Sequence, residues 1–443
     1  MTSKSLRDSV LGQIKKRSPE RLFHDLQFNA FAIQPIWYPA GKSLKITEDF
    51  FKNIILPLHK TPVVRKLDQK LRDFCCIAAN LSYTSEKIPL MVHLGSNEYN
   101  KESFPSRYVI DLVKILTENG YITKHTGYYV SDKPSASCIT RISPTKKLKN
   151  ELFYHKDIAD ERYQVIENRE LVILRDSDKK KTELKFRPTK FTNQLKKDIQ
   201  LINEVNRRYS IEHSRPERPA FRLISDLHSV FNNATFEDGG RFYTGRNGYQ
   251  GLNRLDRPEI TINGKKTVEL DYSGFHPYML YAKIGIQAVG DQYDLVSTDQ
   301  DLRPVLKIAL LALLNAESEN EMISAGNKFL HENHDYYDIM KEKGLSIKDL
   351  LQLFKEKHSP IAQFFCTGQG VKLMNIDAEI ARSILLFFAK RNEACLCIHD
   401  SFIVEDKSQD ILKKVMDKYY TEVIEARFKH GKIFTCPVTI SSK

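Results

Sequence analysis

Two aspartates and two cations in the second half of the chain have the types and spacing for phosphoryl chemistry. In "TVELDYSGFHPYMLYA", Val268 and Leu270 lead as strand residues to Asp271, and helical residues begin after Gly274. An acid at a strand-to-helix junction stands at an open sheet end, where a cation can reach it. In "EACLCIHDSFIVE", an apolar run stops at His399, Asp400 and Ser401 and resumes at Phe402, a hairpin with a carboxylate at its tip. Turns favour Asp and Ser for their own reasons, so Asp400 alone proves little. Two carboxylates on adjacent strands can instead hold two metal ions about 3.5–4 Å apart, the geometry of phosphoryl transfer. Magnesium needs only one or two carboxylates, the rest being water and phosphate oxygens. Between them lies "DLRPVLKIALLALLNA", where Arg303, Lys307, Leu311 and Asn315 recur every four residues and so share a helix face. Arg clamping the outer phosphate and Lys nearer the reacting one would suit a triphosphate lying along that helix. An amphipathic helix with snorkelling cations is the plain alternative.

These residues need a sizeable core behind them, and the composition supplies one. The chain has 443 residues, 41% of them hydrophobic, enough for two to four domains. The net charge is +12; residues 236–443 sum to −2, and residues 1–235 therefore carry +14. A basic first half beside a near-neutral second half suggests a polyanion grip joined to something else, nucleic acid being the commonest polyanion. Seven cysteines with no CxxC pair make zinc and a disulfide framework poor readings and fit a reducing cytoplasm. Cys395 and Cys397 alternate on a strand and read as small core residues. No apolar leader and no membrane-length apolar run occur, so the chain is expected in the cytoplasm, away from membranes.

Four regions follow along the chain. Residues 1–60 hold one short amphipathic helix, "SLKITEDFFKNIILPLH". Residues 61–155 read as helix, a second helix stopped at Asn119-Gly120, then strands around Gly127. That order resembles a winged helix-turn-helix domain, in which the helix before the wing, about 106–119, commonly enters the major groove. Residues 156–235 read as a basic, thumb-like linker around the helix "KFTNQLKKDIQLINEVNRRYSIEH". Residues 236–443 read as one catalytic module.

In order, "DYSGFH", "RPVLKIALLALLNA" and "IHDSF" resemble motifs A, B and C of the polymerases that include bacterial family A DNA polymerases and single-subunit phage RNA polymerases. "GGRFYTG…YQGLNR" is similar to the family's primer-contacting segment, and "GVKLMNIDAEIARSIL" to its template-side helix. The resemblance implies an α+β fold with a right-hand palm and fingers. It implies template-directed nucleotidyl transfer with Asp271 and Asp400 as catalytic metal ligands, joined by Tyr272, around two Mg²⁺ ions for which Mn²⁺ can substitute. It also implies that Lys307 acts in catalysis and that Arg303, Lys307, Leu311, Asn315, His276 and Tyr272 bind the nucleotide. Arg241 and His399 would meet primer and template. The implied partners are single-stranded or primed DNA, dNTPs and also NTPs, and a helicase or small accessory protein, in the replication of a phage, plasmid or other mobile element. The departures are Asn315-Ala316 where motif B usually has Tyr-Gly, His276 where DNA polymerases carry a sugar-discriminating Glu, and Ser401 where they have a second acid. The bulk of His276 is expected to favour dNTPs while leaving NTPs usable. A single-subunit RNA polymerase or primase, and a non-catalytic replication initiator, remain the alternatives.

Overall fold

The computed structural model describes residues 31–33, 37–60, 65–84, 86, 89–95, 105–127, 139–158, 165–167, 169–178, 180–215, 218–245, 248–295 and 300–441. The chain forms two compact units. One comprises residues 1–169 with segments 216–222 and 245–247; the other comprises 170–215, 223–244 and 248–443. Residues 156–235 are thus divided between the units, most of them joining the larger one.

In the smaller unit, helices Leu67–Ser82 and Tyr108–Glu118 bury Phe74, Ile77 and Leu81 from the first and Leu112, Val113 and Leu116 from the second. The second helix stops where the sequence places Asn119-Gly120. Gly120 has φ +72°, and the Tyr121 amide closes the end on the Leu116 carbonyl at 2.8 Å, the left-handed stop that glycine allows. The chain then enters strand Ile122–His125, antiparallel to Thr140–Pro144, which pairs in turn with Leu90–Val92. The expected turn beyond Gly127 and the strand after it fall outside the described residues, as does Cys138.

The larger unit mixes helices with two sheets. In one, Leu227–Phe231 lies between Gly239–Thr244 and Val172–Arg175, with Glu183–Leu184 outermost. Helix Lys190–Arg207, whose charge suggested a linker, buries Leu195, Ile199, Ile202 and Val205; its stripe at helical spacing makes it part of this unit's core. In the other sheet, strand Lys265–Tyr272 is flanked on one side by Ser401–Glu405, the second arm of a hairpin with Leu396–Ile398. Its other side pairs with Ile260–Ile262 and Val438–Ile440. The 22-residue helix Gln369–Lys390 packs on Gly239–Thr244 and buries thirteen of its residues. Such a helix is core almost all round, so any charge on it has to be paired.

Candidate active site

Strand Lys265–Tyr272 delivers Asp271 to the edge of a cavity of about 730 Å³. A sharp turn follows: Gly274 has φ +66°, and a Cβ there would come within 2.9 Å of Gln292 Cγ. Only glycine makes this turn without strain, and it starts helix Phe275–Lys283 directly behind the acid. Asp400 comes from the hairpin. Ser401 pairs across the ladder with Asp271, and the Tyr272 amide donates to the Asp400 carbonyl at 3.4 Å. The two loop residues are His399 and Asp400. His399 takes φ +58°, a left-handed conformation rare outside glycine. Both carboxylates line the cavity.

Besides Arg241, three cations line the same cavity. Arg303 and Lys307 lie on helix Arg303–Asn315, and Arg254 comes from the turn before strand Ile260–Ile262. Arg303 is ion-paired with Asp291. The ring of Tyr293 lies beside both helix cations, its centroid 5.5 Å from the Arg303 guanidinium and 5.7 Å from the Lys307 ammonium. Burial first, then the positive charges of Arg303 and Arg254, lower the Lys307 pKa. Burial pushes Asp271 up to about 7, with the negative charges of Asp400 and Glu269 adding to it and Lys307 and Arg254 opposing it. Tyr293 is pushed to about 12 by burial, then by Asp400 and Asp271.

Glu269 precedes Asp271 by two residues, on the same strand face. Its Oε1 accepts from the Ser401 hydroxyl at 2.6 Å and from Arg257 Nη1 at 3.1 Å. The hairpin arm beside Asp400 is thereby tied to the strand that carries Asp271. Among the described residues no three His, Cys, Asp or Glu side chains form a metal cage. The donor set suits a hard cation instead: two oxygen ligands whose mutual repulsion a divalent ion would relieve.

The expected residues divide. Asp271, Asp400, Arg303, Lys307, Leu311, His276, Arg241 and His399 all line the cavity. Asn315 does not; its amide donates to the Leu311 carbonyl at 2.7 Å, and its side chain lies where a Cβ on Gly370 would stand. Leu310 and Leu314 line the cavity there instead. Tyr272 borders the cavity beside Asp271, but its phenol points away from it. Its hydroxyl donates to the Met416 carbonyl at 2.6 Å and its ring stacks on Phe275 at 4.2 Å, so the phenol belongs to the core. His399 has a buried Nδ1 without a hydrogen-bond partner, and burial lowers its pKa, with Arg241 second.

Asp377, held against Arg241 and His276, is a residue that sequence reasoning passed over. Its side chain, 1% exposed, carries an ion pair with Arg241 and a contact to His276. The available signal was an acid among Leu373, Ile376 and Ile380 on an apolar helix face. Arg254 ends the segment "YQGLNR" without having been singled out in it, and Asp291 and Tyr293 had no such signal, because loop residues show no period.

No known protein family and no curated protein matches the chain in sequence. Among solved structures it is similar to the POL domain of Pol1 from M. smegmatis, in complex with DNA primer-template and dNTP. The identity is 8% and the TM-score 0.27, covering 56% of this chain and 51% of that one. The chain spans about half the length of the polymerase domain it matches, and the likeness is weak. No helix among the described residues is long and apolar enough to cross a membrane.

Proposed function

We propose that the chain is a template-directed nucleotidyltransferase, a DNA polymerase resembling family A in its palm and fingers. One observation carries the reading: two carboxylates from paired strands share a single open cavity with Arg254, Arg303 and Lys307. Asp271 and Asp400 would hold Mg²⁺, which supplies charge neutralisation at the attacking and leaving oxygens. In the reaction a primer 3′-hydroxyl oxygen bonds to the α-phosphorus, the bond to the bridging oxygen breaks, the hydroxyl proton is lost and pyrophosphate leaves. The three cations draw the triphosphate in and hold its outer oxygens, the guanidinium groups through paired N–H donors. Tyr293, set beside Arg303 and Lys307, keeps the helix cations oriented. Leu310, Leu311 and Leu314 give the cavity an apolar wall suited to a base or sugar.

The smaller unit is proposed as the DNA grip. Its helix, strand and antiparallel strand order and its exposed Lys114, Lys124 and Lys146 support a winged-helix role. Replication of a mobile element, with a helicase or accessory protein, is the setting such an enzyme would serve.

RNA synthesis, as by a primase, is the second reading, kept open by Ser401, where a second acid would be expected of a DNA polymerase. The test incubates the purified chain with Mg²⁺, primed or unprimed single-stranded DNA, and labelled dNTPs or NTPs. Template-dependent incorporation by the wild type and none by Asp400→Asn supports the reading. Equal incorporation by both proteins, or none on any template, refutes it.

A further inference from the structure

The loop that carries Asp291 and Tyr293 is bolted by its backbone to the end of a distant helix. Lys357, the last residue of helix Ile347–Lys357, donates from Nζ to the Asp291 carbonyl at 2.7 Å and to the Asp294 carbonyl. An ammonium has three donors, so one side chain can hold both carbonyls. The next residue, His358, places Nε2 at 2.9 Å from the Gln292 carbonyl. A carbonyl oxygen has only lone pairs to offer, so Nε2 carries the hydrogen. Nδ1 then accepts from the Tyr281 hydroxyl at 3.2 Å, and Tyr281 belongs to helix Phe275–Lys283, which starts behind Asp271. His358 is 1% exposed, and burial lowers its pKa, so the neutral ring has both nitrogens engaged.

The side chains of the same loop reach the cations of the candidate site. Asp291 Oδ1 accepts from the Tyr293 amide at 3.0 Å, and Oδ2 accepts from Arg303 Nη1. Tyr293 lines the cavity with its ring beside Arg303 and Lys307. A guanidinium has five donors, so a pair made through Nη1 leaves others to meet an anion. Arg and Lys side chains give up much rotamer freedom when they bind, and cations already held in place give up less. Lys357 is exposed and stands outside the cavity lining, so it touches no ligand there. We propose that Lys357 and His358 are positioning residues for a polyphosphate: they fix the loop backbone, the loop fixes Asp291 and Tyr293, and these hold Arg303 and Lys307 ready for the anion. The proposal rests on the nucleotidyltransferase reading in taking that anion to be a triphosphate.

Calorimetry of the full chain with inorganic tripolyphosphate and Mg²⁺ reads the anion site without any chemistry. Lys357→Met keeps the aliphatic stem and loses the donors. It should bind about 2- to 30-fold more weakly than the wild type, the range for residues that act on a ligand through others. Lys357→Arg, which keeps donors for both carbonyls, should recover most of the affinity. A lost positive charge alone would weaken binding equally with or without Arg303, so the loss should shrink when Arg303→Ala is already present. Asp291→Ala supplies a check of opposite sign. Removing a negative charge beside an anion tightens binding by itself, so weaker binding there is the mark of lost positioning. If Lys357→Met does not fold, Asp291→Ala decides. Tripolyphosphate bound as tightly by Lys357→Met as by the wild type, an undiminished loss in the Arg303→Ala background, or tighter binding by Asp291→Ala overturns the proposal. So does a wild type that binds no tripolyphosphate. A wild type that binds it but incorporates no nucleotide on any template refutes the polymerase reading alone.

Discussion

Replacing Asp271 with its neutral isostere should stabilise the metal-free chain at alkaline pH while abolishing catalysis. Burial, Asp400 and Glu269 raise this carboxyl from its ordinary 3.8 to about 7. Between those values the folded chain binds a proton that the unfolded chain has lost. Stability therefore falls as pH rises through that window, and above about pH 7 the full penalty is present. At about 1.4 kcal/mol per pH unit the gap sets a ceiling of about 4 kcal/mol, and Asp400 shares the repulsion, so about 1–4 kcal/mol is expected. For a unit of this size each kcal/mol moves the midpoint by roughly 2–4 °C. Asp271→Asn should thus melt about 2–16 °C above wild type at pH 8 in EDTA, with the difference shrinking toward pH 4. Mg²⁺ should raise the wild-type midpoint at pH 8 and leave the variant's nearly unchanged. Equal midpoints at pH 8, or the same difference at pH 4 and pH 8, would refute the charge-repulsion argument.

Lys307→Ala should lower the rate of incorporation strongly, and Arg303→Ala should chiefly weaken nucleotide binding; single-turnover kinetics unchanged in both would reject the helix as a triphosphate clamp. Changing the exposed Lys114, Lys124 and Lys146 of the smaller unit to Gln should flatten the plot of log affinity for duplex DNA against log salt. The slope drops by about 0.9 for each lysine that contacts phosphate, and an unchanged slope would assign that surface to something other than DNA. Gly370→Ala should destabilise by at most about 1 kcal/mol, because its Cβ would fall 1.9 Å from Asn315 Oδ1 and drive that exposed side chain off the Leu311 carbonyl. Adding Asn315→Ala should recover much of that loss, and denaturant unfolding of the two variants measures the recovery.

Local signals carried the site further than the units. The strand-to-helix turn at Asp271 and the hairpin at Asp400 were legible because each is written within about ten residues, as alternation broken by Gly or by Asp-Ser. The four-residue repeat from Arg303 was legible only in part. An α-helix advances 100° per residue, so each step of four drifts by about 40° and three steps by about 120°. Arg303, Lys307 and Leu311 share the cavity, whereas Asn315 has rotated out of it. Charge misled at helix Lys190–Arg207, whose buried Leu and Ile stripe outweighs its lysines. Asp377 was hidden for the opposite reason. An acid on a helix usually faces solvent, and only tertiary packing on Gly239–Thr244 shows that this one cannot.

The central claim is that Asp271 and Asp400 together form a nucleotidyl transfer centre. Single-turnover extension of a labelled primer by one nucleotide, in Mg²⁺, tests it most directly. The wild type should add the templated nucleotide, and Asp271→Asn and Asp400→Asn should each be slower by about a thousandfold or more, a loss of about 4 kcal/mol in transition-state stabilisation. All three proteins should bind the primed template equally well. Either variant extending the primer at even a tenth of the wild-type rate would contradict the account.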